Sequence, residues 1–281
     1  MKLIIDSNKL QSDDLRAFLT KSKSNFAVLT DYAAMEAYKG DTLASIFKSM
    51  AVLSEYPEQV IVLKGTRAAC AKRGRLAGLQ RRLIDEEQTR GFSEFVENLR
   101  HAERGHLSLQ EQLLDHGKEA TAHLDRMLSD AETTASVIED IAGQYSKEER
   151  RLVRAGEALP RAIVDKIIQD VLCLAAQAFH KHSDVRLVPE HHELGNTFIF
   201  RSALCIYLLM LDWGARGGAR DARPAKFRND FVDMNFATYA TYFDGLLSAD
   251  AKIRRLHGEL RIWLIALFGC QLPSGLGYGS S

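Results

Sequence analysis

Three short apolar runs near the start of the chain constrain its fold most: Leu3-Ile4-Ile5, Phe26-Ala27-Val28-Leu29 and Val60-Ile61-Val62-Leu63. A strand with one wet face alternates polar and apolar residues. A run without alternation must be covered on both faces, as in a parallel sheet flanked by helices. The intervening residues carry a helical period: Leu43, Ile46, Phe47, Met50 and Leu53 fall on one stripe, with Gly40 as a stop signal and Asp41 as an N-cap before it. Strand–helix–strand alternation over residues 1–66 predicts an α/β fold built on a doubly wound, mostly parallel sheet.

From about residue 67 the strand signals stop and do not return until after residue 240. Leu109, Leu113, Leu114, Leu124, Met127, Leu128, Val137, Ile138 and Ile141 keep helical spacing across Ser108 to Gln144. Ser146 and Glu149 form a capping-box pattern, Pro160 suits the first turn of the next helix, and Asn196 to Trp213 reads as another helix. Residues 67–224 are thus expected to be an all-helical insertion of four or five helices. The remainder returns to α/β: a helix over Asn229 to Phe243, a short strand Gly245 to Ser248 and a helix over Ala251 to Phe268. The expected organisation is an α/β core from residues 1–66 and 225–270, the insertion at 67–224 and a flexible tail at 271–281.

With 281 residues and zero formal net charge, the chain has no global basic field. Cys70, Cys173, Cys205 and Cys270 are scattered without a CxxC, the usage of a reduced, cytoplasmic protein. Met1-Lys2 leads directly into a strand and leaves no room for a signal peptide. The most apolar stretch, Phe198 to Leu211, contains Arg201 and stops at Asp212, so a buried helix is expected and no membrane partner.

The acidic residues carry the chemical argument. Asp6 ends the first strand and is followed by Ser7 and Asn8; Asp250 follows Leu246-Leu247-Ser248-Ala249. In open parallel sheets ligands bind outside the carboxyl ends of the strands, and both acids fall there. Asp230 and Asp233 are three apart at the start of the expected 229–243 helix, so they share a face, and Asp233 borders the inward stripe. Glu36 lies one to two turns into the helix after the second strand, between Met35 and Tyr32 on one side and the sheet on the other. Carboxylates brought together raise one another's pKa unless a cation compensates. Hard oxygen ligands select Mg²⁺ or Mn²⁺ over zinc. Taken singly, Asp250 also reads as an N-cap and Asp233 as a first-turn acid.

In this order and on these elements the residues resemble the PIN-domain family of nucleases: Ile4-Ile5-Asp6-Ser7-Asn8 first, then Glu36, Asp233, and Leu246-Leu247-Ser248-Ala249-Asp250 seventeen residues on. The resemblance covers roughly residues 1–66 and 225–270 and implies a PIN-like sheet. It implies metal-binding, catalytic acids at Asp6, Glu36, Asp233 and Asp250, with Asn8 and Ser248 as supporting polar groups and Asp230 and Asp244 as further acids. It also implies Mg²⁺- or Mn²⁺-dependent hydrolysis of RNA, less often DNA, by endo- or exonucleolytic cleavage. The family is compact, whereas here about 155 residues separate the two halves.

Two basic stretches flank the insertion: Lys64, Arg67, Lys72, Arg73, Arg75, Arg81 and Arg82 before it, and Arg216, Arg220, Arg223, Lys226 and Arg228 after it. Both adjoin the α/β halves and would attract a phosphate backbone of RNA or single-stranded DNA. His180, His182, His191 and His192 gather in a polar stretch, but no cysteine stands near them to complete a zinc site. Amphipathic helices of the insertion could pair across a homo-oligomer. Two alternatives stand beside the nuclease: a non-catalytic PIN-like scaffold binding a protein or RNA partner, and a phosphatase. The phosphatase lacks the second aspartate that a haloacid-dehalogenase-type enzyme needs after Asp6-Ser7-Asn8.

Overall fold

Each continuous apolar run becomes a strand walled in on both sides. In a computed structural model of the chain, β1 (Lys2–Ile5), β2 (Phe26–Leu29), β3 (Val60–Val62) and β4 (Leu246–Leu247) form a four-stranded, all-parallel sheet in the order β3-β2-β1-β4. The structure describes residues 1–39, 42–75, 77–129, 131–185, 187–217, 224–269 and 272–273. Leu3 pairs with Ala27, Ala27 with Val60, and Ile5 with Leu247. Leu3, Ile4 and Ile5 are at most 1% exposed, and each such burial stabilises the fold by about 1.5–3 kcal/mol.

Helix α1 (Asp13–Lys21) connects β1 to β2, and α2 (Asp31–Tyr38) with α3 (Leu43–Glu55) connects β2 to β3. Ser12 and Thr30 cap the first two of these helices with their hydroxyls, accepting from the N–H of Leu15 and Ala33. Thr42 caps α3, accepting from Ser45 N–H; the expected stop and cap at Gly40 and Asp41 lie outside the described residues.

After β3 come α4 (Thr66–Cys70), α5 (Leu79–Leu83), α6 (Glu86–Glu103), α7 (Leu107–Ser129), α8 (Ala131–Gly143), α9 (Lys147–Ala155), α10 (Arg161–Lys181), α11 (His191–Leu194) and α12 (Phe198–Ala215). Six of these, α6 to α10 and α12, have nine residues or more, where four or five helices were expected. The capping box at Ser146 and Glu149 is complete. Helix α13 (Pro224–Ala240) then leads into β4, and α14 (Ala251–Phe268) follows it. Helix α13 begins at Pro224, earlier than the expected 229, and ends three residues before Phe243, which is buried in the turn into β4. The tail expected at 271–281 lies outside the described residues apart from Leu272 and Pro273.

The chain steps from β1 to β2 to β3 in one direction and then returns to the far side of β1 for β4. With right-handed crossovers, the helices before and after that reversal cover opposite faces of the sheet. The reversal falls between β1 and β4, where an open α/β sheet leaves a crevice at its carboxyl edge.

The helical excursion shares its core with the sheet: one apolar cluster runs from Leu3 and Val28 through Val96, Phe179 and Phe200 to Phe236 and Leu264. Helix α12 is long and apolar enough to cross a membrane by length and composition, yet 83% of it is buried inside the protein. Its Arg201 is fully buried, donating to the carbonyls of Gly195 and Thr241 and to Thr241 Oγ1, with its guanidinium 3.9 Å from the centre of the Tyr242 ring. Backbone carbonyls, a hydroxyl and an aromatic face thereby replace the water that a cation would otherwise require.

Candidate functional site

The crevice between β1 and β4 is lined by polar residues that begin where the strands stop. Asp6 N–H still donates to the carbonyl of Leu247 at 3.1 Å, extending the ladder one residue beyond β1. That register sets Asp6 beside Ser248. The Ser248 hydroxyl donates to Asp6 Oδ2 at 2.5 Å and accepts from the N–H of Asp250 at 3.0 Å. Asn8 fastens the same edge: its amide donates to Asp6 Oδ2 at 2.6 Å, and its carbonyl oxygen accepts from the N–H of Ala249 at 3.2 Å. Asp6 Oδ1 has two long contacts, to Asn8 N–H at 3.3 Å and Ser7 Oγ at 3.4 Å. Ser7 also donates to Glu36 Oε2, tying α2 to the end of β1. Polar contacts thus link Glu36, Ser7, Asp6, Ser248 and Asp250 in series, with the single Ser7 proton given to Glu36 and its oxygen 3.4 Å from Asp6 Oδ1.

Helix α13 supplies the other wall. Asp233 is partly buried, and its carboxyl is pushed up to about 8, first by burial and then by the charges of Asp6, Asp230, Asp250 and Glu36. Asp6, only 2% exposed, also has its pKa raised by burial, against the opposing pull of its hydrogen bonds from Ser248, Asn8 and Ser7. Asp233 sits in the third turn of α13, because the helix starts at Pro224. Its carboxylate is therefore not compensated by the helix dipole, which acts within the first turn. Asp250 does cap α14, accepting from Lys252 N–H at 2.6 Å, while its charge is also felt at Asp233.

Asp230 is tied differently. Its Oδ2 accepts from the indole N–H of Trp213 at 2.6 Å and from the ammonium of Lys252. Asp244 stands away from the crevice: its Oδ2 accepts from Lys2 N–H at 2.7 Å, at the amino end of β1. Four residues of strand, about 13 Å, separate that end from Asp6.

Among the described residues, no three His, Cys, Asp or Glu side chains are spaced to hold a metal ion between them. The donor set nonetheless suits a hard divalent cation, all oxygen and repelling one another enough to lift Asp233. Mg²⁺ typically keeps several waters and uses one or two carboxylates together with substrate phosphates, so a closed three-ligand cage is not its usual site.

The basic residues divide. Arg67 bonds Ser183 and lies 3.6 Å from Asp184, and Arg73 donates to the carbonyl of Leu187, so both brace the loop after α10. Arg75 gives its carbonyl to Arg82. Arg228 lies 4.0 Å from Asp125 and bonds Asn229. Arg216 pairs with Asp212 at 3.0 Å, and Lys226 places its ammonium over the Trp213 ring. Arg220 and Arg223 lie outside the described residues. Of the histidines, His182 lies against the carbonyl of Arg67, His192 pairs with Glu190, and His191 packs on Phe268.

Trp213, Lys252 and Asp31 carry no motif in the sequence, yet each is tied to a carboxylate contact near the strand ends. A tryptophan at the end of an otherwise buried helix needs an acceptor for its N–H, and that requirement pointed to a nearby acid. Asp31, at the carboxyl end of β2, accepts from Thr66 N–H at 2.6 Å and its hydroxyl at 3.0 Å, fastening α2 to α4. Burial, opposed by these bonds, raises its pKa. Comparison with protein-family models, curated proteins and solved structures finds no match for the chain. The fold is thus an α/β protein with an all-parallel sheet, and the carboxylates of Asp6, Glu36, Asp230, Asp233 and Asp250 act on one another near the switch in its strand order.

Proposed function

We propose that this protein is a metal-dependent nuclease of PIN-like type that hydrolyses phosphodiester bonds, of RNA before single-stranded DNA. One observation carries the reading. Asp6 from one extremity of the chain and Asp250 from the other meet Glu36, Asp230 and Asp233 closely enough for four charges to add to burial in raising the fifth carboxyl to about 8. A fold that gathers unbalanced negative charge in a ligand-binding crevice has a structural cost that a bound cation would offset.

Asp6, Glu36, Asp233 and Asp250 would hold Mg²⁺ or Mn²⁺. Asp6 Oδ1 has two long contacts, 3.3 Å to Asn8 N–H and 3.4 Å to Ser7 Oγ, and so is less committed to the protein than Oδ2. A divalent ion there supplies Lewis-acid stabilisation of the phosphoryl oxygens and acidifies a water at neutral pH. Ser248 and Asn8 orient the Asp6 carboxylate by holding Oδ2, and Ser7 does the same for Glu36. Asp233, partly exposed and titrating near neutrality when no cation is bound, is placed to take or release a proton at the crevice mouth.

The test is cleavage of labelled RNA and single-stranded DNA with Mg²⁺, Mn²⁺ or EDTA. Cleavage should require the ion and disappear in Asp6→Asn and Asp233→Asn variants that keep the wild-type circular dichroism. Turnover unchanged in both variants would remove the site. A wild-type protein that binds RNA but cleaves nothing with any divalent ion would leave only the scaffold reading.

A further inference from the structure

A second hollow adjoins the acidic crevice and has the opposite charge. It encloses about 550 Å³ and is lined by Arg216, Lys226, Lys252 and Arg255, with Asp212 and Trp213. Arg216 and Arg255 share Asp212, at 3.0 and 2.8 Å, and Lys252 reaches back to Asp230. Four cations thus face one carboxylate within the hollow, Asp212, with Asp230 behind Lys252 and Glu259 3.8 Å from Arg255, which leaves one positive charge in excess. Ala251 and Lys252 open α14 at the wall, where the helix end is capped by the Asp250 carboxylate.

Its floor favours a particular chemistry. Trp213 is only 8% exposed, Phe227 stacks on it at 4.9 Å, and the Lys226 ammonium lies 4.4 Å from the ring centre. No open aromatic face remains on which a base could stack, whereas arginine forks and lysine charges are suited to phosphoryl oxygens.

The hollow is also joined to the crevice. Trp213 and Lys252, which line it, hold Asp230, one helical turn from Asp233, so the two Cβ atoms are about 5–6 Å apart. We propose that this hollow is a phosphate-binding subsite that seats a phosphate group of the substrate strand beside the one being cleaved, and reads charge rather than base. That the phosphate belongs to a strand rests on the nuclease reading; that the hollow binds phosphate does not. Asp230, held between Trp213 and Lys252, would then act as a positioning residue that sets the subsite at a fixed distance from the acids.

The test uses the full-length protein without divalent ions and titrates inorganic phosphate against chloride at constant ionic strength by calorimetry. Wild type should bind, and Lys226→Ala combined with Arg255→Ala should weaken binding at least about tenfold, as expected for charge-assisted hydrogen bonds. Competition by 5′-phosphorylated, 3′-phosphorylated and unphosphorylated single strands identifies the source. Preference for one phosphorylated end assigns a terminal phosphate, and equal competition assigns an internal diester. No phosphate binding by wild type, or undiminished binding by the double variant, overturns the subsite even if the protein cleaves RNA. Phosphate binding that the double variant loses, in a protein that cleaves nothing, keeps the subsite and removes the nuclease.

Discussion

Replacing Asp233 by asparagine should make the metal-free protein more stable at pH 8. The folded carboxyl is pushed up to about 8 from the ordinary 3.8 of an aspartate. Between those values the folded state holds a proton that the unfolded state has released, so the contribution of Asp233 to stability is highest below about pH 4, declines as pH rises toward 8 and levels off above it. At about 1.4 kcal/mol per unit the full shift corresponds to roughly 6 kcal/mol. Relaxation of the crevice and the sharing of repulsion among five acids reduce that, and about 2–3 kcal/mol is a reasonable share for one side chain. For a chain of this size that is about 5–10 °C in melting temperature. Asparagine keeps the shape and removes the charge. In EDTA at pH 8, Asp233→Asn should melt about 5–10 °C above wild type, and the two should converge near pH 4. Adding MgCl₂ at pH 8 should raise the melting point of wild type and leave the variant nearly unmoved. A variant that melts at or below wild type at pH 8, or a difference between variant and wild type that stays the same from pH 5 to 8, would refute the reasoning.

Other positions make separate demands. Ser248→Ala removes a donor to the buried Asp6 carboxylate and the acceptor of Asp250 N–H; it should cost about 1–3 kcal/mol, and an unchanged urea midpoint would contradict that. Gly214→Ala would set a Cβ 2.7 Å from Ala142 Cβ where α12 meets α8; the overpacking should cost about 1–3 kcal/mol, read from the same denaturation curves. His257 is pushed down to about 4 by burial and then by Arg261. The unfolded state therefore takes up a proton first as pH falls, and stability should decline from pH 6.5 toward 4. His257→Gln should flatten that decline, and an identical acid limb in the variant would exclude His257 as its source.

Much of the sheet was legible because parallel strands buried on both faces leave little room for other patterns: Leu3-Ile4-Ile5, Phe26 to Leu29 and Val60 to Val62 are strands. The two-residue β4 was legible only through its neighbours, the helix before it and Asp250 after it. Helix α13 ends earlier than expected because its second half is buried all round, from Met234 to Ala240, and a helix segment without a wet face has no amphipathic edge to mark its boundary. The acids at strand ends could be named from order alone. Which of them are neutralised could not, since the Lys252–Asp230 pair and the Trp213 bond depend on how α12, α13 and α14 meet. For the same reason Asp244 looked like a site acid: only the register of β1 shows it at the opposite edge. The helical excursion was recognisable as helix, but its shared core with the sheet comes from long-range packing that local periodicity does not encode.

The central claim is that residues from both extremities of the chain form one cation site. Diffraction from crystals soaked in MnCl₂, collected at the manganese edge, tests it most directly. An anomalous peak in the crevice with carboxylate oxygens of Asp6 and Asp233 about 2 Å away, or reached through one water, is the predicted result. Peaks elsewhere on the surface, with none between β1, β4 and α13, would contradict it.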